Sequence, residues 1–429
     1  MLRVLEASPR RCPLRRCVDT GRVRRWPFRQ RRRFGSSASR AALSAHSAEG
    51  KQHGARGVDV AIIGGGPCGL LAAYALMAEP DVVRRITLIE SRPRPGKPSV
   101  RGGARNYQLG INAMGQSALK KIDGGQEDGP LMAGLRRYSE AVKGRLDWRP
   151  GAKLAADGRV TLSTDKSVDT LVLQRDELCL LLLEAIEERL ALESELGNVE
   201  VELVYGTKVE DVVWKDADAD AAGGGKHEIA LRVTCRDDAL DSETGPAAST
   251  TGEIRSHVLI GADGCNSVLH SACEEFAPVT LRERNTRVYR KLPLHVQGGF
   301  RRDLNYSARS VDGVVIEGLP VKGSDEIMGV VLIKPEDASG ILEISSVQEA
   351  REYFEKNFPA MTSFIRTKDL ERFVESEVSP LPTFKHVGDT LCNGHRCAAF
   401  TLRLRACSVG SKFPALQGKT KIEKKRAPH

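Results

Sequence analysis

The chain has 429 residues, 41% of them apolar, with ten Cys and a net charge of +9. That length supports two or three domains and a core large enough to enclose a cofactor. The mixture excludes a disordered, collagen-like or disulfide-miniprotein class, and the absence of any run of eighteen apolar residues predicts no transmembrane segment.

Residues 1–57 concentrate the charge. Fourteen Arg and one Lys against Glu6, Asp19 and Glu49 give +12 there, which leaves the other 372 residues at −3. A nucleic-acid surface belongs on a folded domain, so no nucleic-acid partner is expected. The segment is Arg-rich from Arg10 to Arg33 and Ser- and Ala-rich from Ser36 to Ala48, with few acids. This predicts a disordered, transit-like leader for an organelle, the mitochondrion before the plastid, and no secretory signal. The Cys form no CxxC and no zinc spacing with His, so reduced thiols and no metal site are expected.

Order is predicted from Val58. Val58–Ile63 is a short apolar run of the kind found in buried parallel strands. Gly64, Gly66 and Gly69 then fit GxGxxG, with Pro67 and Cys68 between them, and an Ala/Leu-rich helix runs from Leu70 to Met77. In such a motif the first glycine permits a tight turn and the second lets a pyrophosphate approach the backbone. The third lets helix and strand pack closely, and the helix N-terminus turns its positive end to the phosphates. A second strand, Ile86–Ile89, ends at Glu90, 21 residues after Gly69, where an acid would accept hydrogen bonds from a ribose. That order of elements predicts a dinucleotide site; alone it does not separate NAD from FAD.

Further along, Arg105 to Asn112 precedes Gly115 and a short helix. Leu173-Gln174-Arg175-Asp176-Glu177-Leu178 opens a long amphipathic helix with Leu178, Leu181, Leu182 and Ala185 on its buried side. Val258-Leu259-Ile260-Gly261-Ala262-Asp263-Gly264-Cys265-Asn266-Ser267 is a strand running into a glycine turn. Together these segments resemble the FAD-dependent monooxygenases of the para-hydroxybenzoate hydroxylase type, most closely the kynurenine 3-monooxygenase-like branch, over residues 58–396.

The resemblance implies an α/β fold, with a Rossmann-like FAD-binding domain and an inserted antiparallel-sheet substrate domain. The FAD-binding domain would take residues 58–178 and 255–275, with 179–254 as helix and hairpin insertions, and the substrate domain 276–385. It implies that Gly64, Gly66, Pro67, Cys68 and Gly69 cradle the FAD pyrophosphate, with Glu90 on the adenosine ribose. Arg175 would set a fixed, planar cation against the phosphates or the ribityl chain. Asp263 and Gly264 would reach the cofactor phosphates as the family's second fingerprint, in which Leu269-His270 replaces Val-Arg and so removes a permanent charge. Arg105 would lie near flavin and substrate carboxylate. No protein side chain need carry the redox chemistry, which belongs to FAD with NAD(P)H as co-substrate and O2. The implied substrate is a small aromatic or acidic, kynurenine-like molecule. Two alternatives stay open: an inactive FAD-fold protein, and a flavin epoxidase or reductase of isoprenoid substrates.

The substrate half is predicted as strands over Arg287–Leu292, Gly313–Glu317 and Met328–Ile333. Asp216–Gly225 and Asp237–Gly252 are polar and rich in breakers, and read as surface loops flanking a strand at Glu228–Thr234. Gly223–Lys226 lacks the preceding strand of a phosphate loop, and Gly418-Lys419-Thr420 lacks its earlier glycine. No HExxH or GxSxG occurs. The family's third motif, a strand ending in Gly-Asp-Ala-Ala-His, does not follow Arg396. Residues 397–429 form an atypical basic tail, which implies that the C-terminal part is missing or out of frame.

Overall fold

The computed structural model describes residues 57–96, 107–163, 168–193, 199–215, 228–236, 249–264, 267–273, 279–283, 286–295, 301–337, 340–381, 384–387 and 400–401. The transit-like segment up to Arg56, Arg105, Cys265, Asn266, the side chain of His270 and all of the basic tail except Phe400 and Thr401 lie outside the described residues.

A five-stranded parallel sheet organises the first half. Strand β1 (Val58–Ile63) lies between β2 (Val83–Glu90) and β12 (Val258–Gly261), with β8 (Glu200–Tyr205) beyond β2 and β21 (Phe400–Thr401) beyond β12. Strands covered on both faces read as apolar runs, which is how the inner parts of β1 (Val60–Ile63) and, apart from Thr87, of β2 (Ile86–Ile89) appear in the sequence. Their period of two then sorts the side chains. Val60, Ile62, Ile86 and Leu88 pack on helix α1 (Pro67–Leu76) and helix α4 (Arg175–Glu193). Ala61, Ile63 and Ile89 pack on the opposite side, against the antiparallel meander β9 (Thr207–Lys215), β10 (Glu228–Arg236) and β11 (Ser249–Ser256).

A smaller antiparallel sheet, β3 (Gln108–Ile111), β7 (Thr170–Gln174) and β4 (Glu140–Val142), leads directly into α4. Between β3 and β4 lie α2 (Ala113–Ile122) and α3 (Pro130–Tyr138). Asn112 starts α2 by accepting from the Gly115 amide at 3.0 Å, an N-cap that the short predicted helix needs. Two local expectations change. In α4 the predicted stripe is buried, but so are Cys179, Leu183 and Ile186, because the helix packs on the sheet, on α1 and on α3. The segment Asp237–Gly252 is not all loop: Ser249–Gly252 begin β11 and pair with β10.

The second half is an eight-stranded sheet. Its path runs β19 (Ser379–Pro380), β14 (Val288–Lys291), β18 (Glu326–Ile333), β17 (Val315–Pro320), β16 (Leu304–Arg309), β5 (Gly144–Trp148) and β6 (Arg159–Leu162), with β15 (Leu294–His295) also on β18. Beside it, β13 (Val279–Glu283) pairs with β20 (Phe384–Val387). Strands β5 and β6 fall within 58–178, the span expected for the first domain, yet they extend this second sheet through a parallel pairing with β16.

One face of the sheet, carrying Trp148, Tyr306, Ile316, Ile327, Val331 and Ile333, is covered by α6 (Val347–Asn357), α7 (Thr367–Glu375) and a 3-10 segment at Pro359–Phe364. Phe354 and Phe373 meet edge to face there, 5.2 Å between centroids. Arg290 of β14 points into this layer. It is buried and donates to the carbonyls of Ser376 (3.3 Å), Ile344 (3.3 Å) and Val374 (3.0 Å), with its guanidinium 4.5 Å from the Phe373 ring.

Candidate functional site

The glycine turn forms because Gly64 and Gly69 meet backbone and Gly65 meets the Glu90 side chain. Gly64 has φ +104°, and its amide donates to the Ile89 carbonyl at 2.7 Å. A Cβ there would sit 2.5 Å from the Ala262 carbonyl oxygen. A Cβ on Gly69 would lie 1.9 Å from the Gly64 carbonyl oxygen, so the third glycine presses α1 onto the turn itself. Gly66 is the extended N-cap residue of α1, followed by Pro67 at the first helical position, where a fixed φ and a missing N–H cost nothing. Cys68 is half-buried in that first turn.

The structure brings Arg175 to the turn. A Cβ on Gly66 would come within 3.2 Å of its Nη2 and would otherwise meet open space. The Arg175 side chain is 14% exposed, and Nη1 donates to Asp176 Oδ1 at 3.1 Å. The backbone holds it there: its amide donates to the Tyr107 carbonyl at 3.0 Å, where β7 ends and α4 starts.

The second fingerprint closes the other side. The Ala262 amide donates to the Ile63 carbonyl at 2.7 Å, and the Asp263 Cα would touch a Cβ on Gly64. Asp263 Oδ2 accepts from the Val268 amide at 2.8 Å and so starts helix α5 (Val268–Cys273), while exposed Gly264 takes φ +88°. Residues about 200 positions apart in the chain thus form one turn-on-turn junction.

Glu90 is engaged differently from the sequence expectation. It is buried, and its carboxylate accepts from the Gly65 amide (2.8 Å), from the Arg92 amide (2.9 Å) and from Arg92 Nε (2.9 Å) and Nη2 (3.2 Å). Burial pushes its pKa up, but the hydrogen bonds and charge of Arg92 and the Gly65 amide outweigh it and hold the carboxyl below the usual glutamate value. Because the folded chain binds this proton more weakly than the unfolded chain, the stabilisation is present at neutral pH and is lost as pH falls below about 4.5 and through the depressed value. A Glu90→Gln chain is therefore expected to be about 1–3 kcal/mol less stable in urea unfolding at pH 7. At pH 3 the gap should narrow; a gap independent of pH would show that the ion pair is not the cause.

Three polar groups near the turn escape the sequence reading. Arg92 is legible in principle, as a cation two residues beyond the strand-end acid. The hydroxyl of Tyr205 is buried without a hydrogen-bond partner among the described residues, and burial raises it to about 12. Its position beside Glu90 depends on the β2–β8 register, Glu90 opposite Tyr205, which no local pattern reveals. Gln108 Oε1, one residue after Tyr107, is likewise buried and unpartnered among the described residues. The Cys179 thiol, in α4 below Arg175, is pushed up to about 11 by burial, so it stays protonated and unreactive.

Residues 62–118 match the NAD(P)-binding Rossmann-like domain family. This part of the chain has a Rossmann-like fold. No curated protein matches the chain. Among solved structures, a single-residue variant of 2-methyl-3-hydroxypyridine-5-carboxylic acid oxygenase is similar at 15% identity and TM-score 0.50, covering 80% of this chain and 74% of that one. Aklavinone-11 hydroxylase, solved with FAD and aklavinone, is similar at 16% identity and TM-score 0.49, over 79% of this chain and 54% of its own length. PqsL of Pseudomonas aeruginosa, solved with 2-aminobenzoylacetate, is similar at 16% identity and TM-score 0.49, over 76% and 74%. At these identities the likeness is one of fold: a Rossmann-like unit joined to a second sheet. Among the described residues, no helix is long and apolar enough to cross a membrane.

Proposed function

We propose that the chain is an FAD-dependent monooxygenase that uses NAD(P)H and O2 to hydroxylate a small aromatic molecule. The observation that carries this reading is the glycine turn at the start of α1, where a Cβ on Gly66 would meet only Arg175 Nη2 and the Arg175 side chain is 14% exposed. The residues present fit the cofactor. A diphosphate suits bare glycine backbone, a helix N-terminus and a guanidinium. The unpartnered Gln108 Oε1 and Tyr205 hydroxyl are buried polar atoms of the kind that a ligand's hydroxyls satisfy. When bound, FAD supplies the electron transfer and oxygen chemistry.

The chain's own residues bind, orient and exclude water. Gly64, Gly66 and Gly69, with Pro67 and Cys68, form the phosphate cradle. Glu90 steadies it through the Gly65 amide; its two oxygens already accept from Gly65, Ser91 and Arg92, so it would meet the ribose only by exchanging one of these donors for a ribose hydroxyl. Asp263, whose Oδ2 caps α5, has Oδ1 left to serve the cofactor, with Gly264 beside it. The half-buried face of the eight-stranded sheet, away from α6 and α7, roofs the substrate. The neighbour of like fold that is named as a 2-methyl-3-hydroxypyridine-5-carboxylic acid oxygenase supports an oxygenase acting on a ring compound. The finer resemblance, to the kynurenine branch, adds an acidic aromatic substrate.

An Arg175→Met chain is expected to fold normally, because the side chain pairs with half-exposed Asp176, and to bind FAD about 10–100-fold more weakly, the worth of a charge-assisted hydrogen bond. Fluorescence titration of the purified chain with FAD reads this; unchanged affinity would place the diphosphate elsewhere. The reading as a whole is tested by purifying the full chain. Yellow protein that consumes O2 and NAD(P)H with aromatic compounds supports it.

A second reading, an FAD-fold protein without activity, is favoured by one observation. Phe400–Thr401 lie parallel to β12, at the sheet position next to the cofactor turn, yet the chain continues as Leu402-Arg403-Leu404-Arg405 rather than Gly-Asp-Ala-Ala-His. Folded but colourless protein supports that reading.

A further inference from the structure

The face of the second sheet opposite α6 and α7 carries a polar cluster that the nucleotide site does not use. Cross-strand register places Arg145 beside Asn305, Asp147 beside Ser307, and Ser307 beside Glu317, so all five share the face opposite α6 and α7. Arg145 Nη2 donates to Ser307 Oγ and, at 3.0 Å, to Glu317 Oε1, which also accepts from Ser307 Oγ at 3.1 Å. Glu317 Oε2 accepts no hydrogen bond from the described residues. Asn305 is 5% exposed, and its Oδ1 is buried with no partner among them.

Around this cluster the same face is apolar and only half-buried: Val315, Leu319, Met328, Val330 and Leu332 alternate with the fully buried residues that meet the helices. Glu317 pairs with Val330, and Val330 with Lys291, so Glu317 and Lys291 are two strand spacings apart, about 10 Å. Lys291 feels the charge of Asp176, and its neighbour Tyr289 affects Tyr107, both beside Arg175 at the nucleotide turn. The apolar strip between is the length of a small fused aromatic ring system, with the nucleotide site at one end and two unused acceptors at the other.

We propose that Glu317 and Asn305 form the specificity subsite of the substrate pocket, and that it takes an aromatic ring bearing a hydrogen-bond donor, a ring hydroxyl or amino group. The nearest charges disfavour a carboxylate beside Glu317. Arg145, the cation in contact with it, is already shared by two carboxylates, Glu317 at 3.0 Å and Asp147 at 3.4 Å. Arg309 on β16 and Arg159 on β6 lie farther out on the same face, and Arg159 is exposed. Burial pushes Glu317 up to about 7 against the opposing pull of Arg145, Ser307 and Arg309, with Asp147 adding to the rise. Its acceptor form therefore appears as pH rises through neutrality. The inference rests on the flavin reading only for which end of the strip faces the cofactor.

The test is calorimetric titration of the full chain with 2-naphthol and with 2-methoxynaphthalene, its donor-free ether, between pH 5.5 and 8.5, with flavin content read by absorbance on the same sample. In the wild type, 2-naphthol should bind at least ~10-fold tighter than the ether above neutrality, a preference that fades as Glu317 takes up its proton. Glu317→Gln, which keeps an amide acceptor but no titrating group, should show a weaker preference that no longer changes with pH. If that chain does not fold, Ser307→Ala replaces it: loss of the Ser307 donor should move the midpoint of the pH dependence upward and keep the preference. Equal binding of naphthol and ether by the wild type, or a preference that Glu317→Gln or Ser307→Ala leaves unmoved, overturns the proposal. Preference without flavin sinks the cofactor reading alone; yellow protein without preference sinks this inference alone.

Discussion

A Gly69→Val chain is expected to purify without flavin. The Cβ of any residue at position 69 would lie 1.9 Å from the Gly64 carbonyl oxygen, and the turn cannot retreat, because Gly64 is itself pressed on the Ala262 carbonyl. Helix α1 would have to leave β1, and the phosphate cradle would open with it. The expected fall in FAD affinity exceeds ~100-fold, the worth of several backbone and charge-assisted hydrogen bonds removed together. Two controls separate this from general damage. Gly96, which has open space around it, should accept Ala without effect. Gly66→Ala meets only the flexible end of Arg175, so it should keep its melting temperature and bind FAD about 10-fold more weakly, because the methyl group takes the space beside Arg175 that a phosphate would use. Full flavin occupancy in the Gly69→Val chain would remove the nucleotide from this turn.

The second large effect concerns stability. Replacing Arg290 with Met is expected to cost about 3 kcal/mol, read as a lower urea midpoint. Met fills much of the volume over the Phe373 ring, but it leaves the carbonyls of Ile344, Val374 and Ser376 without their donor in a buried layer. Lys should rescue little of this, since a single ammonium cannot reach three carbonyls held for a planar fork. If Met is tolerated without loss, water reaches those carbonyls and the layer is less closed than its packing indicates.

The Rossmann-like turn and its flanking strands are legible from residue order alone. Val58–Ile63, the glycines and Ile86–Glu90 are near neighbours in the chain, and each follows a local requirement: buried parallel strands must be apolar, and a turn under a helix must lack Cβ atoms. Arg175 and Asp263 are legible too, through family-like patterns that happen to be contiguous. Glu90 stands out as a strand-end acid, but its clamp by Arg92 does not, because a pair two residues apart has no spacing that marks it as joined.

The rest required the folded chain. Strand β6 alternates polar and apolar residues but is exposed at all four positions, so the pattern points to no buried face, and β5 joins β16 through residues more than 150 positions away. In β17 and β18 the alternation marks two faces without saying which one the helices cover. Glu317 is an ordinary acid on a strand until β16 and β5 bring Ser307 and Arg145 beside it. Which side chains share a face follows from the two-residue backbone repeat, and that repeat is local. What the face meets is set by pairings between distant segments, and the proposed substrate chemistry depends on those.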